Sequence, residues 1–203
     1  MKNLIYFFFF FLLFIQANSM LAQTINIKNG ITFSSMNFNK INLFESKIQT
    51  YSFTIGTEYL SHTWWELSSE MGYIQKGGKE KEIIENDILI ELKEAKNYVH
   101  LNTTIRAKYS GETFYFYAGI GPTFDLLVDS NEFKDNYLEG YLLKKSIWGM
   151  KSEIGFNQFL NKKIKVGLNF SYLYDIDYSG KSEYNKFRFD NYILMFSLGY
   201  NLK

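Results

Sequence analysis

The segment Ile-Lys-Val-Gly-Leu-Asn-Phe-Ser-Tyr-Leu-Tyr-Asp, residues 164–175, alternates with a period of two: Ile164, Val166, Leu168, Phe170, Tyr172 and Tyr174 are apolar or aromatic, while Lys165, Gly167, Asn169, Ser171 and Asp175 separate them. Only Leu173 breaks the pattern. A two-residue repeat belongs to a strand, whose successive side chains point to opposite faces, whereas a helix repeats at 3.6. Working outward, this strand is predicted over 163–176, and the same alternation recurs at 24–36, 48–59, 64–75, 88–109, 113–127, 146–159 and 189–202. No segment of useful length carries a helical apolar stripe.

The links between these eight strands alternate in length. His62–Thr63, Ser110–Glu112 and Asn161–Lys162 are tight, and the other four connections are long and polar. A meander with short turns on one side and long loops on the other places both termini on the short-turn side, as in outer-membrane barrels. The expected fold is therefore all-β, an eight-stranded antiparallel up-and-down transmembrane β-barrel.

Sorting each strand by parity gives one face without a charge. It holds Ile25, Ile27, Phe53, Ile55, Leu67, Met71, Leu101, Ile105, Phe116, Ile120, Trp148, Ile154, Leu168, Phe170, Phe196 and Leu198. The opposite face holds Lys28, Glu58, Glu66, Glu70, Arg106, Lys108, Asp125, Lys151, Glu153, Lys165 and Asp175. Alternation alone does not say whether the apolar set faces lipid or the interior of a soluble calycin-type barrel. Glycine separates the two. Gly30, Gly56, Gly72, Gly119, Gly121, Gly149, Gly155, Gly167 and Gly199 all fall on the polar face. An eight-stranded barrel has an interior just wide enough for side chains, so small residues belong inside and bulky aromatics outside. Tyr59, Trp65, Tyr73, Tyr109, Trp148, Tyr174 and Tyr200 lie towards strand ends, where interfacial girdles sit.

Composition narrows the function classes. Of 203 residues, 22 are Lys or Arg and 21 Asp or Glu, which leaves no charge surplus for nucleic acid. The absence of Cys excludes disulfides, thiolate metal sites and cysteine nucleophiles. Lys2, the uncharged run 4–15 and the small polar stretch 16–23 have the order of a secretory signal, and the run is too short for a spanning helix. Residues 1–23 are thus expected to be a cleaved signal peptide and 24–203 the barrel domain.

Four stretches carry a family likeness: NGITFSSMNF from Asn29, WWELSSEMGYIQKGGK from Trp64, FYFYAGIGPTFDLLV from Phe114, and YILMFSLGYNLK from Tyr192. They resemble the small outer-membrane β-barrel domain proteins of Gram-negative bacteria, the porin-family or PorT-like group. Glu66, Tyr73, Lys76 and Gly77 match the family's text at the third strand, as does the Gly121–Pro122 step. The usual hydrophobic-proline step is absent at Tyr98–Leu101, and the chain ends in Lys203 in place of an aromatic. The resemblance implies an outer-membrane location and delivery by the barrel-assembly machinery. It does not imply an activity.

Candidate sites follow from the polar face. Glu58, Glu66 and Glu70 share a height with Arg106 and Lys108, and with Lys151 and Glu153 they are expected to form a lumen ion-pair network, since an unpartnered buried charge costs several kcal/mol. The competing reading, a carboxylate pair working as acid and base, needs a cavity that eight strands rarely leave. His62 and His100 have no metal-ligand spacing, Ser179–Ser182 only mimics the end of a P-loop, and no nucleophile elbow is present. No cofactor or metal is expected, and no enzymatic activity. Asp125 reads as a solvated rim residue, and Pro122 predicts a bulge or an early end of pairing. The fourth strand, over 88–109, is about twice the length that crosses a membrane, so its surplus is expected to stand clear as a hairpin with an edge for strand addition. Its rival is a loop packed over the barrel mouth.

These readings lead to an outer-membrane barrel with a plugged lumen and a structural or loop-mediated binding role. Its partners are outer-membrane lipid and an extracellular molecule at the outer loops, with no nucleic acid. The alternatives are a narrow passive pore, a soluble periplasmic lipocalin-like carrier, and a lipid-modifying barrel enzyme for which no convincing catalytic set exists.

Overall fold

The computed structural model describes residues 23–39, 46–84, 88–128, 142–182 and 185–202, with the backbone alone at 81–84 and 88–92. The expected signal segment lies outside the described residues except for Gln23, and so does much of the loop 128–145.

Eight long strands form a closed ring: β1 (Thr24–Phe38), β2 (Ile48–Tyr59), β3 (Trp65–Ile84), β4 (Ile88–Ser110), β5 (Phe114–Leu127), β7 (Ser146–Phe159), β8 (Ile164–Asp175) and β10 (Lys186–Asn201). Every neighbour is antiparallel, and β1 pairs with β10 over Thr24↔Asn201 to Phe38↔Phe187, which removes both sheet edges. Two strands of two residues were not anticipated. They are β6 (Leu142–Leu143) and β9 (Gly180–Lys181), and they add to β10 in the order β10-β9-β6 over the long-loop end.

The faces divide as the alternation dictates. Ile27, Met71, Ile154, Leu168 and Phe196 are 47–61% exposed on the outer wall, whereas Lys28, Glu70, Glu153, Lys165 and Ser197 are at most 4% exposed within the ring. Inward glycines make room for the bulky polar side chains. A Cβ on Gly119 would lie 2.8 Å from Cγ of Arg106, and one on Gly155 would lie 2.2 Å from the Tyr117 ring.

Strand β3 runs nine residues beyond its expected end, to Ile84. It stays paired with β4 up to Ile84↔Ile88, whereas the β2–β3 ladder stops at Ser52↔Ile74 and the β4–β5 ladder at Tyr98↔Leu127. The β3–β4 hairpin therefore rises above the ring. Pro122 does not create a bulge. The pairs Asn102↔Thr123 and Ile105↔Ile120 keep one register, and only the two intervening pairs drop out of the ladder. Pro122 has no N–H to give Thr103, and the rest of the closed barrel holds the strand in register across that gap.

Candidate functional site

The lumen is organised around Arg106, a fully buried side chain that β4 projects inward. Its Nε donates to Glu153 Oε1 (2.6 Å), Nη2 to Glu70 Oε1 (2.9 Å) and Nη1 to Glu58 Oε1 (3.3 Å), with Glu66 Oε1 at 3.7 Å. Four carboxylates from β2, β3 and β7 thus converge on one guanidinium, which also lies 4.5 Å from the Tyr117 ring centroid. The fork geometry of arginine suits this role better than the point charge of lysine.

Further cations balance the carboxylates. Lys28 bonds Glu70 (2.5 Å), Lys151 bonds Glu70 (2.8 Å) and Glu153 (3.0 Å), and Lys165 pairs with Glu58. Neutral donors complete the shell: Thr104 Oγ1 on Glu153 (2.7 Å) and Asn169 Nδ2 on Glu153 (3.0 Å). Towards the short-turn end, Lys108 reaches Glu66 at 3.4 Å and also bonds Ser61. All seven residues singled out on the polar face, Glu58, Glu66, Glu70, Arg106, Lys108, Lys151 and Glu153, are in this one cluster. Lys28 and Lys165, whose parity placed them inside, join it, and so does Tyr115, whose hydroxyl accepts from Lys165 (2.5 Å). At the short-turn mouth a recess of about 250 Å³ is lined by Glu58, Glu66, Lys108, Tyr115 and Lys165.

A second cluster stands above the first, and it corrects the reading of Asp125. That residue is fully buried, not a solvated rim group. Lys76 Nζ donates to Asp125 (2.9 Å) and to Asp175 (2.6 Å), His100 Nδ1 lies 2.6 Å from Asp125, and Ser179 donates to Asp175 (2.6 Å). Asn102 links the clusters, with Nδ2 3.0 Å from His100 Nε2 and 3.3 Å from Glu70. Lys76 matters here as the partner of two aspartates, a role for which its place in a short motif was no guide.

The reason Asp125 is dry lies above it. Met36, Phe38, Tyr98, Leu143, Ile147, Leu173, Phe187 and Phe189 form a buried apolar cluster across the long-loop end. Phe38 and Phe187 sit 5.0 Å apart, Phe187 meets Phe189 edge-on at 5.4 Å, and Tyr98 meets Phe189 edge-on at 6.0 Å. Lys76 Nζ lies 5.6 Å and 5.9 Å below the Tyr98 and Phe189 rings. Strand-end parity alone did not reveal this plug. Its signal was the scatter of apolar residues at inward positions: Leu173, Ile147, Ile193 and Met195.

Among the described residues no group of three or more His, Asp or Glu has metal-site geometry. The chemistry available in the lumen is ion pairing: each carboxylate of the Arg106 cluster already faces a cation. On the outer wall, a recess of about 430 Å³ spans the Pro122 gap, lined by Thr57, Ser69, Thr103, Pro122, Phe124 and Trp148.

No protein-family model matches the sequence, and no curated protein matches it. Solved structures do match in fold. The outer membrane protein OprG from Pseudomonas aeruginosa aligns with a TM-score of 0.57 at 15% identity, over 88% of this chain and 95% of its own. The outer membrane protein AlkL, determined by solid-state NMR in DMPC lipid bilayers, aligns with a TM-score of 0.50 at 16% identity, over 90% of this chain and 92% of its own. The chain has the fold of the small eight-stranded β-barrels.

Proposed function

We propose that the chain is an outer-membrane β-barrel of structural or interactive role, its termini and short turns in the periplasm and its long loops outside, reached after removal of residues 1–23. The observation that carries this reading is the sorting of side chains. A belt of exposed Ile, Leu, Met, Phe and Trp surrounds a lumen packed with ion pairs below and aromatic side chains above. A lipid-facing charge near the membrane centre costs about 2–4 kcal/mol, and the belt carries none. Closure of the ring pairs the backbone groups that lipid cannot solvate. The PorT-like likeness of the four sequence stretches is compatible with this role, and so is a loop-mediated partner at the outer end. Catalysis forms no part of the proposed role: each carboxylate of the Arg106 cluster stands within ion-pair distance of a cation.

The test is conductance in planar bilayers combined with heat-modifiable gel migration. The expected result is a heat-modifiable, vesicle-inserted protein without steady single-channel current. A stable conductance establishes the narrow-pore alternative, and recovery in the soluble fraction without detergent establishes the carrier.

A further inference from the structure

Near the long-loop end the outer wall changes from apolar to basic on one side of the barrel. The outward column of β10 runs Tyr200, Leu198, Phe196, Leu194 and Tyr192, and then Asp190, Arg188 and Lys186. At about 3.3 Å per residue and a strand tilt near 40°, Arg188 stands roughly 30 Å above Tyr200, the thickness of a hydrocarbon core. The basic residues therefore face lipid at the depth of its headgroups.

Their arrangement calls for an anion. Lys186 pairs directly with Lys181 across the β9–β10 ladder, a like-charge opposition that destabilises a sheet. The ring of Tyr178 lies 4.9 Å from Lys186 Nζ and 4.5 Å from the Arg188 guanidinium, and so holds two cations side by side. Asn39 Nδ2 donates to the Tyr178 hydroxyl at 3.4 Å. That bond, and then the charges of Arg188 and Lys186, hold the phenol below the ordinary tyrosine value. Arg188 Nη1 donates to Tyr174 (3.3 Å), while its Nε is shielded from solvent and has no acceptor among the described residues. Lys47, one residue before β2, lies 4.1 Å over the Tyr192 ring. Two nearby acids among the described residues are otherwise engaged. Asp190 accepts from Tyr172 (3.1 Å) and Asn37 (3.5 Å), and Asp177 pairs with Lys144 (3.5 Å). Among the described residues Lys47, Lys181, Lys186 and Arg188 have no carboxylate within ion-pair distance.

We propose that Lys186 and Arg188, held by the Tyr178 ring, together with Lys181 opposite Lys186 and Lys47 over the Tyr192 ring, form a binding site for the phosphate groups of a glycolipid in the outer leaflet. The inference rests on the membrane reading above. What favours a lipid over a soluble anion is position: Arg188 and Lys186 continue the lipid-facing column of β10, and Lys181 stands beside Lys186 on β9. Phosphate oxygens would accept from both lysines at once and pair with the Arg188 guanidinium, relieving the Lys181–Lys186 opposition.

The experiment is native mass spectrometry of the purified barrel in detergent with bisphosphorylated lipid A and with its dephosphorylated form. The wild type is expected to retain the phosphorylated lipid at least about tenfold better, the loss that removal of two charge-assisted hydrogen bonds produces. The combined variant Lys181→Gln, Lys186→Gln, Arg188→Gln is expected to abolish the preference. Lys144→Gln, which alters a cation already paired with Asp177, is expected to keep it. Tyr178→Leu weakens retention severalfold while Tyr178→Phe preserves it, which separates ring-held cations from general charge. Equal retention of the two lipids, or an unchanged preference in the combined variant, overturns the proposal. Binding of soluble heparin without any preference between the lipids also overturns it and points to a surface glycan. Each variant is first checked for heat-modifiable migration. A wild type that does not migrate in this way or insert into vesicles refutes the membrane reading itself, whereas an inserted barrel indifferent to phosphate refutes only this site.

Discussion

The two halves of the lumen are filled by opposite means. Below, Arg106 and four lysines, Lys28, Lys108, Lys151 and Lys165, neutralise four glutamates whose side chains are buried. Above, Met36, Phe38, Phe187 and Phe189 fill the same bore with apolar surface. Desolvating the charges is expensive, and their attraction only offsets that cost when every partner is present. Apolar packing carries no such condition, and its loss scales with the cavity left behind. The lower half should therefore be brittle to single truncations and tolerant of wholesale replacement, and the upper half should respond in proportion to volume.

The sharpest way to break this comparison is Arg106→Ala. It leaves Glu58, Glu66, Glu70 and Glu153 without their shared partner and should cost about 3–5 kcal/mol, read by urea unfolding in vesicles. Unchanged stability would mean that the network does not hold the barrel together. Next comes Phe189→Ala, which opens a cavity between Tyr98 and Phe187 and should cost about 3–4 kcal/mol. Asp125→Asn, which keeps the shape between Lys76 and His100 but removes the charge, should cost about 1–3 kcal/mol by the same assay. The smallest effect is expected of Pro122→Val. It restores a ladder donor opposite Thr103 and should stabilise by about 0.5–1.5 kcal/mol, with slower hydrogen exchange at that site.

The difference between the halves also marks how far the sequence could be read. Alternation and glycine parity place each strand and both faces, because in an eight-stranded barrel the period of two maps directly onto inside and outside. The same parity sends Glu58, Glu66, Glu70, Arg106, Lys108, Lys151 and Glu153 inward. It does not say what lies above Asp125. The plug is assembled from Met36 and Phe38 on β1, Leu143 on β6, Leu173 on β8 and Phe187 and Phe189 on β10, residues that meet only after the ring closes. In the opening segment 164–175 the one exception to alternation, Leu173, was the local trace of that plug, and it is 1% exposed. The apolar alternation of β3 ends at residue 75, where Lys76, Gly77 and Gly78 interrupt it. Pairing with β4 carries the strand through.

The claim on which everything else depends is that the uncharged wall faces hydrocarbon. The chain contains no cysteine, so single spin labels can be introduced at Leu168→Cys and Phe196→Cys and compared with Ser171→Cys in the lumen. In vesicles, the two wall labels should be relaxed strongly by dissolved oxygen and hardly at all by a water-soluble nickel chelate, while the lumen label is shielded from both. Wall labels that are immobile and shielded, or that respond to the chelate as freely exposed groups, would contradict the account.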